Sequence, residues 1–105
     1  MASLVGTMAE RDDLTVETMA ERAAMSPRNF ARLFASETGM TPAKYVEMVR
    51  IDRARNLLET SDLGVEWIAE TTGFKDAERL RRAFLRQLGV NPQNYRLRFS
   101  RTVSA

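Results

Sequence analysis

Two stretches decide the fold when set side by side: LTVETMAERAAMSPRNFARLFASETGMTPAKY (residues 14–45) and LGVEWIAETTGFKDAERLRRAFLRQLGVNPQNY (residues 63–95). At an offset of 49, Val16, Glu17, Met19, Ala20 and Glu21 fall on Val65, Glu66, Ile68, Ala69 and Glu70, and Ala24 and Met25 fall on Gly73 and Phe74. One residue is then inserted in the second stretch. From there the offset is 50, and Arg32, Phe34, Gly39, Pro42 and Tyr45 fall on Arg82, Phe84, Gly89, Pro92 and Tyr95. The chain carries one helical unit twice.

Each copy reads alike. A short helix begins near Thr15 or Gly64, with apolar residues at Val16, Met19, Ala20 and Ala23, or at Val65, Trp67 and Ile68, in helical steps. A tight turn follows at Ala24-Met25-Ser26 and at Gly73-Phe74-Lys75. Ser26 with Pro27 behind it opens a second helix, and Asp76 caps its counterpart. That helix is expected to bury Phe30, Leu33 and Phe34, or Leu80, Ala83 and Phe84, and to stop at Gly39 or Gly89, where a left-handed residue is wanted. Small residues at Ala20 and Ala24, and at Ala69 and Gly73, leave room for two helices to cross steeply through a short turn, as a helix-turn-helix requires. One such pattern is a weak signal; two in register are a strong one.

Between the copies, Thr41-Pro42 opens a long helix through Glu59 or Thr60, with Tyr45, Val49, Ala54, Leu57 and Leu58 as its apolar stripe and Arg50, Arg53 and Arg55 around it. About 18 residues at a rise of 1.5 Å make a rod of roughly 27 Å, against about 34–36 Å for one turn of B-DNA. A short leading helix is expected over residues 4–10, and Asn91-Pro92 opens a closing helix through Phe99, with fraying over residues 100–105. The expected fold is all-α with about seven helices: a first helix-turn-helix at residues 14–40, a linker helix at 41–60, and a second helix-turn-helix with a closing helix at 63–99. Trp67, Phe34, Phe84, Tyr45 and Tyr95 are expected to pack in the core, with the methionines as gap fillers.

Composition narrows the chemistry. The 105 residues are 44% apolar and 29% charged, with no cysteine and no histidine. That excludes disulfides, thiolate chemistry, Cys/His zinc sites and histidine-based triads. No apolar run approaches the length of a membrane span or a secretory leader. No constellation of carboxylates, lysines and hydroxyls suggests an enzyme, and no cofactor is implied; Asp12-Asp13 is better read as a solvated or capping pair. Charge is unevenly placed. Residues 1–25 hold two basic against five acidic residues, and residues 75–101 hold eight basic against two acidic. Fourteen of the sixteen basic residues are arginine, whose planar fork suits phosphates and guanine edges. The competing reading of this basic stretch is a solvated helical face paired with glutamates.

Several stretches also resemble the DNA-binding domain of the AraC/XylS family of bacterial transcription regulators. They are Met25–Phe34, Gly39–Tyr45, Arg50–Leu58, Ile68-Ala69, Gly73-Phe74, Arg81–Phe84 and Gly89–Arg96, within a likeness that extends over residues 14–99. The Ser26-Pro-Arg28, Arg81–Phe84 and Tyr95–Phe99 wording is most similar to the branch in which this domain follows a DJ-1/PfpI-like sensor domain. The resemblance implies a cytoplasmic bacterial reader of double-stranded DNA, two recognition helices in adjacent major-groove segments, and transcription activation through contact with RNA polymerase. It also implies that an effector-sensing domain is missing from this chain.

In a helix-turn-helix the N-terminal half of the second helix enters the major groove. This marks Arg28, Asn29, Ala31 and Arg32 in the first unit, of which Arg28, Ala31 and Arg32 match the family's base-reading stripe. Arg28 and Arg32 stand at i and i+4, on one helical face. The alternative for Arg32 is an ion pair with Glu37 or an acid of the leading helix. In the second unit the corresponding residues are Glu78, Arg79, Arg81 and Arg82. Glu78 either accepts from a cytosine amino group or holds Arg82 in place. Phosphate contacts are expected from Ser26, Lys44, Lys75, Asn94 and Arg96, together with backbone N–H groups at helix starts. A rival of another class is a helical interaction module whose arginines serve an acidic protein partner.

Overall fold

The computed structural model describes residues 14–100, which form six α-helices and no strand among the described residues. They are α1 (Val16–Arg22), α2 (Pro27–Thr38), α3 (Pro42–Thr60), α4 (Val65–Thr71), α5 (Ala77–Leu88) and α6 (Pro92–Phe99). The leading helix expected over residues 4–10 and the tail at 101–105 lie outside the described residues.

Local chemistry sets these boundaries. Thr15 caps α1, its hydroxyl accepting from the Thr18 N–H while the Thr18 hydroxyl accepts from the Thr15 N–H, a reciprocal cap. Ser26, Thr41, Asp76 and Asn91 accept from the backbone N–H of Asn29, Lys44, Arg79 and Asn94 at 2.8–3.2 Å. Gly39 and Gly89 end α2 and α5 in the left-handed region at φ +77° and +73°. A chiral side chain there meets its own carbonyl.

The chain divides into two compact units at Val49/Arg50, inside α3. In the first, Leu14, Met19, Ala20, Phe30, Phe34 and Val46 form the core, with Tyr45 and Val49 packed against it. The rings of Phe30 and Phe34 stand 5.6 Å apart, and those of Phe34 and Tyr45 5.5 Å apart. In the second, Ile51, Ala54, Leu58, Ile68, Ala69, Phe74, Leu80, Ala83, Phe84 and Tyr95 form the core. Tyr95 repeats the role of Tyr45, its ring 5.4 Å from Phe84.

Three expectations about packing are corrected. Leu33 is half-buried and is not part of the first core. The stripe expected for the linker helix omits Val46 and Ile51, which are buried; the helix supplies its first half to one core and its second half to another, so no single stripe describes it. Trp67 does not pack inside: it is 52% exposed. On α4 the buried residues are Ile68 and Ala69, followed by Thr72 just past its end. At 100° per residue, position 67 lies far around the helix from that face.

The two inter-helix turns show what the repeat preserves. Ala24 and Gly73, repeat partners, both have positive φ, +57° and +92°. Both turns close the same way: the Met25 N–H donates to Ala20 O at 2.9 Å and the Phe74 N–H to Ala69 O at 2.8 Å. The inserted residue of the second copy is Lys75, also left-handed at φ +71°. A Cβ at Gly73 would also meet the Arg50 Nε at 2.7 Å, so the end of that flexible side chain would have to shift.

Candidate nucleic-acid interface

Burial of Phe30 and Phe34 turns one face of α2 inward and leaves Arg28, Asn29 and Arg32 exposed, with Ala31 half-buried on the flank. Arg28 and Arg32 have no ion-pair or hydrogen-bond partner among the described residues. The Glu37 pairing considered for Arg32 is not formed, and the acids of the leading segment lie outside the described residues. Ser26, at the start of the helix, is exposed and keeps its hydroxyl on the Asn29 N–H.

The second unit repeats the scaffold with different surface chemistry. Leu80, Ala83 and Phe84 point inward; Glu78, Arg79, Arg81 and Arg82 are exposed. The Arg81 Nε and Nη2 donate to the two Glu78 carboxylate oxygens at 2.9 and 2.7 Å, and the Arg82 Nε donates to Glu78 Oε2 at 2.9 Å. These hydrogen bonds, Arg81's first and then Arg82's, hold the Glu78 carboxyl down to about 2, and the same pairing raises the Arg81 guanidinium above its ordinary range. Arg79 leans on the capping residue, its Nε 3.7 Å from Asp76 Oδ2. The spacing from Glu78 to Arg82 points to this pairing; the second partner at i+3, Arg81, is what sequence reasoning missed.

Of the residues expected at phosphates, Ser26, Lys44, Lys75 and Asn94 are exposed. Arg96 is corrected. It is half-buried, its Nε donating to Leu58 O at 3.3 Å and its Nη2 to Ser61 O at 3.0 Å. A cation on the carbonyls at the end of α3 satisfies acceptors the helix leaves open, so Arg96 ties α6 to α3. Tyr95 next to it donates from its hydroxyl to the Glu59 carboxylate.

Burial lowers the Arg50 guanidinium below its ordinary range, with Arg53 adding repulsion. This cation stands over the turn at Gly73. Among the described residues no group of three acidic, histidine or cysteine side chains is arranged to hold a metal. No helix among them is long and apolar enough to cross a membrane.

A family profile described as a helix-turn-helix domain matches residues 19–98. The chain is 46% identical over 82 residues to the HTH-type transcriptional regulator Rv1931c of Mycobacterium tuberculosis, covering 78% of this chain and 32% of that protein. It is 38% identical over 80 residues to the HTH-type transcriptional activator RhaS of Escherichia fergusonii, covering 76% of this chain and 29% of that one. The chain thus spans about a third of the length of these curated relatives. Among solved structures, the DNA-binding domain of AdpA, a global transcriptional factor in complex with a target DNA, superposes with a TM-score of 0.85 at 41% identity. That match covers 93% of this chain and 90% of that one.

Proposed function

This chain belongs to the AraC-type helix-turn-helix family of transcription regulators, and we propose that it reads double-stranded DNA with α2 and α5 in adjacent major-groove segments. The assignment divides the chain into a first helix-turn-helix at residues 14–40, a linker helix at 41–60, and a second helix-turn-helix with its closing helix at 63–99. The observation that carries it is the repeat itself: two units that close their turn with the same backbone hydrogen bond, cap the second helix with a side chain and pack a phenylalanine on a tyrosine each leave an arginine-bearing N-terminal half of the second helix exposed. The likeness to a domain solved on its target DNA supports the same reading. An acidic protein partner would not explain two registered helix-turn-helix units.

In this reading Arg28, Asn29, Ala31 and Arg32 face one block of base pairs and Arg82 the other, with Arg79 beside it. Ser26, Lys44, Lys75 and Asn94 grip phosphates. Arginine bidentate to guanine contributes roughly 1–3 kcal/mol of discrimination per contact. The domain acts in the bacterial cytoplasm and activates transcription by touching RNA polymerase; activation is the part of this role that the activator among its relatives supports. Effector sensing belongs to a domain other than this one.

Selection of bound duplexes from a random library tests the proposal. A site with two short blocks centred about 10–10.5 bp apart is expected. Arg32→Ala should relax one block and Arg82→Ala the other. A folded sample that retains no duplex overturns it.

A further inference from the structure

Glu78 stands where the repeat places Arg28 in the first unit, in the first turn of a helix meant to approach a polyanion. A carboxylate there repels phosphate, so its presence calls for a use. One ordinary use is to favour the positive end of α5, but that needs no partner side chain. The observed arrangement is more specific. A single carboxylate receives three N–H groups from two successive arginines, at 2.7–2.9 Å.

Which atoms are taken matters. Arg81 gives its Nε–Nη2 edge to the two oxygens, the parallel fork that would otherwise match a phosphate or a guanine. Arg82 gives only its Nε, and its two terminal amino groups have no partner among the described residues. The Arg82 side chain is 71% exposed. A free arginine in such a place samples many rotamers and loses that freedom on binding. Anchored at Nε, it keeps an end-on pair of donors aimed by the anchor.

We infer that Glu78 is a positioning residue for sequence reading: it fixes Arg82 with its terminal amino pair presented to a guanine edge, and it withdraws Arg81 from the DNA. The inference rests on the proposed function and assigns three roles within it. Arg82 reads, Glu78 aims, and Arg81 completes the clamp. The first unit reads instead with Arg28 and Arg32 unclamped.

The test uses the whole chain with Glu78→Gln, Arg81→Ala and Arg82→Ala, each checked for native helicity by circular dichroism. Affinities are measured for the selected duplex, for its single base-pair variants in the second block, and for an unrelated duplex over a range of salt. Arg82→Ala should lose about tenfold or more of discrimination at one base pair. Glu78→Gln should lose a large part of that same discrimination while binding the unrelated duplex as well or better. Its salt dependence should steepen by about one phosphate contact as Arg81 is released. Arg81→Ala should leave second-block discrimination within about twofold, and the first block should be unchanged throughout.

A Glu78→Gln protein with unaltered second-block preferences overturns the inference, leaving an intrahelical pair and nothing more. So does loss of a cytosine preference with Glu78→Gln alone, which makes Glu78 a reader itself. Loss of the block with Arg81→Ala reverses the assigned roles. An unsubstituted chain that selects a single block removes the second reading head and the inference with it, while the first unit's reading stands. An unsubstituted chain that selects no duplex overturns the proposed function as a whole.

Discussion

The two units share a scaffold and differ in what they lay upon it. Phe34 and Tyr45 in one, Phe84 and Tyr95 in the other, stack at nearly the same separation, 5.5 and 5.4 Å, and both turns close with the same backbone hydrogen bond. Yet at the start of the second helix one unit carries Arg28 and Arg32 without partners among the described residues, and the other carries Glu78 clamping Arg81 and Arg82. Packing restricts the inward positions because a single methylene more or less is felt there. The outward positions are restricted only by what they touch. Divergence at the same repeat position, from arginine to glutamate, falls on the outward face, where packing does not dictate the residue.

The turns differ too, and here the largest effect is expected. Gly73→Ala places a Cβ at φ +92° and 2.7 Å from the Arg50 Nε, and should cost about 2–3 kcal/mol in urea unfolding. If the crowding by Arg50 contributes, part of that cost disappears in an Arg50→Ala background, and the left-handed backbone penalty remains. Equal costs in both backgrounds would mean that the left-handed φ alone requires this glycine. Next in size is the transplant of one unit's chemistry onto the other. Arg28→Glu puts the Glu78–Arg82 spacing into α2 and should weaken binding to the selected duplex by about tenfold or more, because a base contact of roughly 1–3 kcal/mol is lost and a carboxylate is set near the phosphates. Unchanged affinity would mean that Arg28 stands clear of the DNA.

Most of the scaffold was legible in the sequence because its signals are local. Capping residues, N1 prolines and terminal glycines act within four residues of one another, and the repeat let each copy check the other. Ala24 and Gly73 are expected from the sequence only as small residues at a helix crossing; their alignment also carries the left-handed turn, which alanine alone does not suggest. What was illegible depends on distant partners. Arg96 is a phosphate candidate by type, and only the fold brings it to Leu58 and Ser61, 38 and 35 residues away. Val46 and Ile51 escape a single-stripe reading because one helix serves two cores. The outward turn of Trp67 was within reach of the sequence, since the helical angle from Ile68 and Ala69 already requires it.

Ala24→Gly sharpens the comparison of turns from the other side. It relieves the left-handed penalty of a chiral residue at φ +57° but adds freedom to the unfolded chain. The two terms nearly offset, and a gain of about 0.5 kcal/mol is expected in thermal or urea unfolding. A loss would mean that the alanine methyl contributes packing that exceeds its strain.

The smallest expected effect is an absence of change with pH, and it distinguishes the two units by what each can titrate. Glu78 is held down to about 2 by its bonds to Arg81 and Arg82. A carboxyl whose folded value lies below its unfolded one contributes its stabilisation fully above the ordinary carboxylate range and loses it as pH falls through the folded value. The window in which the clamp opens therefore lies below about pH 4 and centres near 2. Between pH 5 and 8 the carboxylate stays ionised and both arginines stay bound, so second-block discrimination should be flat. With no histidine in the chain, no side chain ordinarily titrates in the middle of that range. First-block discrimination, which the proposed reading gives to Arg28, Asn29, Ala31 and Arg32, should be equally flat. A second-block preference that weakens between pH 5 and 4 while the first holds would show that on DNA the Glu78 carboxyl titrates in the ordinary carboxylate range, so that the arginines no longer hold it at the moment of reading.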